Sequence, residues 1–178
     1  VTAVGVGSIL PRGGLGARRF RITYRGPGGH SWASFGWANP VHAAGRAIVI
    51  LASLPRARGV ESALTVSRVS GGRSVNSIPD EAWIEVDARS TSESALAALE
   101  AEVHAVARAT AAEENERRVR GSPALSVACE RIGHRGGGVT PEDEPVVRAA
   151  IEATRLVGRS PTLGTASTDA NAAIAPSA

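Results

Sequence analysis

Four groups of polar side chains sit where the chain changes direction and could take part in chemistry: His30, Asn76, Arg89, and the run Ser167, Thr168, Asp169 and Asn171. His30 follows Gly26, Pro27, Gly28 and Gly29, which cannot continue a strand and must turn the backbone sharply. Asn39 then Pro40 opens a helix, with Asn as the N-cap and Pro at the first helical position. The imidazole is therefore expected at the tip of a sheet, between a strand end and a helix start, where it could donate a hydrogen bond or exchange a proton near neutral pH. A surface histidine without a role fits the same pattern. Arg89 is by its chemistry a bidentate carboxylate binder, and it could equally pair with Asp87 or Glu85 on its own strand. His30 and Asn76 are expected on separate loops that could face one ligand.

The remaining titratable groups argue against a complete catalytic site. The histidines at 30, 42, 104 and 134 are isolated: none has an Asp two residues on or a second His at helical spacing, so no metal site is expected. Adjacent carboxylates occur at Asp80 and Glu81, at Glu113 and Glu114, and from Glu142 to Glu144; solvated element ends and the helix dipole account for these better than an acid/base dyad. There is no phosphate-binding loop and no nucleophile elbow.

The elements that would position these groups can be read in order. Residues 1–10 are apolar, with interspersed Gly, and suggest a buried or edge strand; Pro11, Gly13, Gly14 and Gly16 then suggest a flexible connection. From Arg18 the pattern alternates, Phe20, Ile22 and Tyr24 against Arg19, Arg21, Thr23 and Arg25, which predicts a half-buried strand. Val41, Ala44, Ile48 and Leu51 predict a helix over 40–54, ended by Pro55. A strand over 63–70 places Leu64, Val66 and Arg68 on one face; a polar loop over 70–80 and a strand over 81–89 follow, the two strands pairing antiparallel. Ser90, Thr91 and Ser92 each offer an N-cap, with Glu93 three residues after Ser90 fitting a capping box, for a helix over 93–113, and a fourth strand spans 124–132. The fold class is α+β: a ferredoxin-like βαββαβ unit whose four-stranded antiparallel sheet is covered on one face by two helices. The other face, or an edge, is left for interaction, and a homodimer is plausible. A third helix over 141–157, burying Val146, Ala150, Ile151 and Ala153, a strand start at 162–164 and a polar loop over 165–171 look like the edge of a neighbouring domain. The expected division is residues 1–17, 18–133 and 134–178.

Bulk properties narrow the function. With 178 residues, 43% hydrophobic and 21% charged, the chain can build a core. Its 20 basic residues are all Arg, the net charge is +3 and aromatics are 3%, so a nucleic-acid partner is not expected. No apolar run approaches the roughly 18 residues that cross a bilayer, so no membrane partner is expected. Cys129 stands alone, which excludes an internal disulfide and suggests a reducing, cytoplasmic location. The chain begins at Val1 without Met and is expected to lack its true beginning.

Four motifs in order, GPGGHSW at 26–32, GGRSVNSIP at 71–79, DAR at 87–89 and STDAN at 167–171, resemble the dizinc aminoacylase and carboxypeptidase superfamily, which includes succinyl-diaminopimelate desuccinylase, β-alanine synthase and di- and tripeptidases. The resemblance implies a lid that mediates dimerisation and is inserted into a zinc-binding catalytic domain. It implies that His30 reaches the partner subunit's active site and polarises the scissile carbonyl. Asn76 and Arg89 would hold the substrate carboxylate, and Thr168 and Asp169 would line the catalytic cleft. The parent would use two zinc ions, none bound to this segment, to cleave a short peptide or N-acyl amino acid. The family's zinc ligands and general base have no counterpart in this sequence, so the segment alone would not catalyse. Two other readings stay open: a ferredoxin-like dimerisation or ligand-binding module with no enzymatic parent, and an inactive homologue without zinc.

Overall fold

The computed structural model describes residues 9–54 and 61–166. The first eight residues of the expected initial strand, the helix stop at Pro55, and Thr168 and Asp169 lie outside the described residues. The central sheet consists of β2 (Gly16–Arg25), β4 (Ser62–Gly71), β6 (Glu81–Ser90) and β7 (Ser126–Arg135), in the order β4-β6-β2-β7, with every neighbouring pair antiparallel. Helix α1 (Pro40–Ala52) packs on β4 and β6, and α2 (Glu93–Arg117) lies over β2, β6 and β7. Strands and helices thus alternate as βαββαβ, as the hydrophobic periods predict.

One face of the sheet and the two helices close the core. Phe20, Ile22 and Tyr24 from β2 meet Ala82, Ile84, Val86 and Ala88 from β6, with Ala43, Ala47 and Leu51 from α1 and Val103, Ala107 and Ala111 from α2 above them. The Tyr24 hydroxyl keeps a partner inside this core, 2.7 Å from the Thr110 hydroxyl. Burial pushes its pKa up to about 12.

The opposite face is a lattice of ion pairs. Arg19 bonds Asp87 at 3.0 Å, Arg21 bonds Glu85 at 2.5 Å, and Arg25 bonds Glu81 at 3.0 Å. A register shift between Val66 and Arg68 turns Arg68 onto this face as well, so it does not share a side with Leu64 and Val66 as strict alternation suggests. Arg68 bonds Glu85 at 2.9 Å, and the guanidinium groups of Arg21 and Arg68 lie 4.6 and 5.2 Å from the centre of the Trp83 ring.

A second, smaller sheet has β1 (Ile9–Gly14) at its centre, antiparallel to β8 (Gly138–Val139) and parallel to β9 (Thr162–Ala166), with α3 (Pro145–Leu156) between β8 and β9 in sequence. Pro11, Gly13 and Gly14 are therefore strand rather than flexible connection. Gly13 and Gly14 are paired on both sides and Pro11 with β9 alone, with an irregularity between Pro11 and Gly13.

Two helix boundaries move for identifiable reasons, and one of the three candidate caps of α2 is used. Helix α3 starts at Pro145, not 141, because Pro145 keeps Glu144 extended at φ −60°, ψ 136°. The described face of α3 accordingly buries Val147 and Thr154, while Val146 and Ala153 are exposed. The α2 cap is Ser92, whose Oγ accepts from the Ala95 amide; Ser90 instead donates to the Glu61 carbonyl and accepts from the Ser92 amide. The same helix continues four residues past Glu113, to Arg117.

The chain passes between the two sheets twice, at residues 14–16 and 136–138, and the crossings touch. A Cβ on Gly137 would lie 2.6 Å from the Gly16 amide nitrogen and 3.0 Å from the Gly14 carbonyl oxygen. Gly45, in the middle of α1, has nothing within 4 Å of its Cβ position. Gly45→Ala is expected to stabilise the fold by about 0.5–1 kcal/mol and Gly137→Ala to destabilise it, both read from urea denaturation midpoints. A second expectation concerns acid. Hydrogen bonding from Arg21, aided by the charges of Arg68 and Arg21, holds the Glu85 carboxyl below its usual range. A depressed carboxylate pKa contributes stability that is fully present above the unfolded-state pKa and is lost as pH falls through the folded-state value. Glu85→Gln should therefore flatten the acid limb of the stability profile while narrowing the difference from wild type at the lowest pH.

Candidate functional site

The glycine turn after β2 leads into β3 (Gly29–His30), which pairs antiparallel with β5 (Ser77–Ile78), His30 facing Ser77. Gly28 at φ +65° and Gly29 at φ +155° lie where side-chain-bearing residues are strained, which is why glycines occupy the turn. The Ser31 amide then donates to the Asn76 carbonyl at 3.0 Å. The His30 and Asn76 loops are thus one joined structure at one end of the central sheet, not separate protrusions. Two-residue strands are too short to show a period in the sequence.

His30 is exposed, and its ring orientation is set by its own loop. The Trp32 amide donates to Nδ1 at 3.2 Å, with the Ala33 amide also directed at it at 3.5 Å. An Nδ1 that accepts a hydrogen bond carries no proton, so the neutral ring holds its proton on Nε2, as a donor facing away from the loop. Beside it stands an apolar rim that the sequence did not single out: Trp32, Phe35 and Val75 are 86%, 83% and 103% exposed. Asn76 is also exposed, and its Oδ1 accepts from the Ser74 hydroxyl at 2.5 Å.

The loop closes onto the helices through a buried group. Asn39 caps α1, its Oδ1 accepting from the Val41 amide at 2.9 Å. Its own amide donates to Glu114 Oε1 at 2.8 Å, and the other Glu114 oxygen accepts from Arg46. Glu114 is 5% exposed, so its sequence assignment to a solvated helix end is wrong. The signal was present: Val103, Ala107, Thr110 and Glu114 recur at spacings of four, three and four along the buried face of α2. A cleft of about 440 Å³ lies here, lined by Ser31, Phe35, Trp37, Val75 and Ser77 and by Arg46 and Glu114.

Arg89 lies elsewhere. On β6 it pairs with Ala17 of β2 and Ala63 of β4, at the end where Gly16 pairs with Ser90 and the chain crosses to the second sheet. The His30 and Asn76 loops lie past the opposite end, where Arg25 pairs with Glu81 and the Gly26 amide donates to the Asp80 carbonyl. The seven residue steps from Ala82 to Arg89 span roughly 23 Å. Arg89 Nε donates to Asp87 at 2.5 Å, the ion pair that its sequence position allows, and Asp87 does not engage the two terminal nitrogens.

Among the described residues no three of His, Cys, Asp or Glu converge to hold a metal ion. Burial pushes the Cys129 thiol up to about 11, so it is no thiolate nucleophile near neutral pH. His104 packs edge-on against Phe20, and His42 is exposed beside Glu114, its Nδ1 3.8 Å from the carboxylate. Among the described residues no helix is long and apolar enough to cross a membrane.

Residues 13–115, more than half of the chain, match the family model described as the peptidase dimerisation domain, and the chain belongs to that family, within the aminoacylase and carboxypeptidase superfamily. Similar solved structures include a tripeptidase from Staphylococcus aureus (TM-score 0.75, 19% identity, 92% of this chain and 41% of that one). An amidase of the hydantoinase/carbamoylase family from Burkholderia vietnamiensis (0.74, 20%, 91% and 37%) and aminopeptidase PepT from Bacillus cereus (0.73, 22%, 94% and 42%) are similar too. The chain thus spans about two fifths of the length of these structures. A search of curated proteins gives no match.

The ring geometry makes a direct prediction. Nitrogen-15 shifts of the neutral His30 ring should show an unprotonated Nδ1 and a protonated Nε2; the reverse pattern would mean that the loop amides do not set the tautomer.

Proposed function

We propose that this chain is the lid and dimerisation unit, over residues 18–133, of a cytoplasmic zinc-dependent amidohydrolase or peptidase. Residues 1–17 and 134–178 would belong to its catalytic domain, and the substrate would be a short peptide or N-acyl amino acid. The observation that carries this reading is the joining of the His30 and Asn76 loops at the end of the sheet farthest from the crossing into the second sheet. The described residues offer no ligand set for zinc, so the ions are assigned to residues elsewhere in the parent protein.

Its Nε2–H makes His30 a hydrogen-bond donor, suited to a carbonyl oxygen that gains negative charge as the amide is attacked. Asn76 would orient the substrate beside it. Arg89, some 20 Å or more away along β6, cannot touch the same small substrate from the same chain. The two groups therefore serve two sites: Arg89 grips a carboxylate at the site of its own subunit, while His30 and Asn76 reach the site of the partner. Thr168 and Asp169 are assigned to the cleft by the motif STDAN alone.

Homodimerisation fits the free edges of the sheet. Strand β4 ends the sheet on one side and carries one charge, Arg68, whereas β7 on the other side carries Glu130, Arg131, His134 and Arg135. Next to β4, helix α1 exposes Val41, Val49 and Ile50. A second copy across the β4 edge would cover this apolar strip, whereas the ion-pair face of the sheet is already satisfied.

His30→Ala in the whole parent enzyme should lower turnover by a factor on the order of a hundred or more, with metal content and dimer mass unchanged. Mixing it with Arg89→Ala should then restore about a quarter of wild-type turnover, because half the dimers are mixed and each has one site lacking both lesions. Failure to recover would place both groups in the same site.

A further inference from the structure

We infer that Glu114 is a positioning residue: its buried carboxylate ties the His30 loop to the far end of α2, so that the helix sets where the imidazole stands. This deepens the function proposed above and rests on His30 acting at the partner's site.

The loop is held at three places. At its start, β3 pairs with β5 and the Ser31 amide bonds the Asn76 carbonyl. In its middle, the Val119 amide, just past α2, donates to the Gly36 carbonyl at 2.8 Å; Gly36 sits at φ +86°, and a Cβ there would lie 2.5 Å from a Val119 methyl. At its end, Glu114 accepts from the Asn39 amide while Arg46 of α1 neutralises its other oxygen. Between these anchors the turn is closed by its own amides, Ser34 to the His30 carbonyl at 2.9 Å and Trp37 to the Ser34 carbonyl at 3.0 Å. Movement of Asn39 or Gly36 therefore passes to His30 through one compact turn.

Helix α2 gives these anchors a fixed reference. Near its first turn, Glu93 and Glu100 hold Arg18 at 2.6 and 2.5 Å, two residues from the Gly16 crossing. Glu93 to Glu114 is twenty-one residues, about 32 Å of helix. One rigid rod thus runs from the crossing to the His30 loop. Stability alone would not favour a carboxylate in this place, since a buried ion pair is no better for folding than apolar packing. What it adds is direction: one oxygen for the amide that ends the loop, the other for the helix that the loop begins. His42 and Glu113 also face the pair, 3.8 Å from Glu114 and 3.7 Å from Arg46, and Arg117 and Arg118 line the same cleft.

The test is kinetic complementation in the whole parent enzyme. Glu114→Ala should lower kcat by about tenfold or more, with KM less affected, as a misplaced donor does. Mixed with Arg89→Ala it should regain about a quarter of wild-type turnover, and mixed with His30→Ala it should regain none, because both lesions then disable the same end of the lid. A residue that merely supports folding would not sort this way. Glu114→Met, which keeps the volume but offers no oxygen for the Asn39 amide, replaces Glu114→Ala in the same mixtures if the latter does not fold. Wild-type kcat in both Glu114 variants, or recovery with His30→Ala, would overturn the inference while leaving the role of His30 intact. Wild-type turnover in His30→Ala itself would instead overturn the functional reading and this inference with it.

Discussion

The length and stiffness of the paired strands β2 and β6 constrain everything else in this molecule. Ten antiparallel pairs, from Gly16 with Ser90 to Arg25 with Glu81, make a plank whose ends cannot approach each other. One end carries the joined His30 and Asn76 loops, and the other carries Arg89 and the crossing into the second sheet. A small substrate bridges a few ångströms, so under the proposed function a plank of this length would divide its polar groups between two sites, and dimerisation would be the condition under which both sets meet one ligand.

The plank is held stiff by different means on its two faces. On the helix side, apolar residues at every second position of β2 and β6 meet the small residues of α1 and the Val103 to Ala111 stretch of α2, and the hydrophobic effect does the work. On the open side, five arginines and three carboxylates alternate across β2, β4 and β6, so the uncovered surface gains directional bonds without becoming apolar. Such a face resists edge slippage, since moving β2 by one residue would break the Arg19, Arg21 and Arg25 pairs at once. Both faces thus protect the register on which the position of His30 depends.

Much of this was legible in the sequence, and the reasons differ by element. Strict alternation in 18–25 and 81–89 revealed β2, β6 and their buried faces, because one side of each strand had to be apolar. Asn39 and Pro40 gave the start of α1 through capping chemistry. The two-residue strands β3 and β5 were not legible, since they are made by backbone pairing across a long stretch of chain and leave no pattern. Nor was the bulge at Val66 that turns Arg68 over. The start of α3 was misplaced because Pro141 competes with Pro145, and only the second fixes the helix. Glu114 is the instructive miss: its charge suggested solvent, while its spacing from Val103, Ala107 and Thr110 pointed inward. The distance between Asn76 and Arg89, thirteen residues apart in the chain, depends on strand register, which neighbouring motifs do not reveal.

Cocrystallising the whole parent enzyme with a non-cleavable substrate analogue, and asking which subunit supplies each side chain to one bound molecule, tests the division of labour most directly. The account predicts that Arg89 comes from the subunit whose cleft holds the analogue, and that His30 and Asn76 come from the partner. An analogue touched by His30 and Arg89 of a single chain would contradict it, because no rearrangement short of breaking the β2 and β6 pairing could bring those ends together.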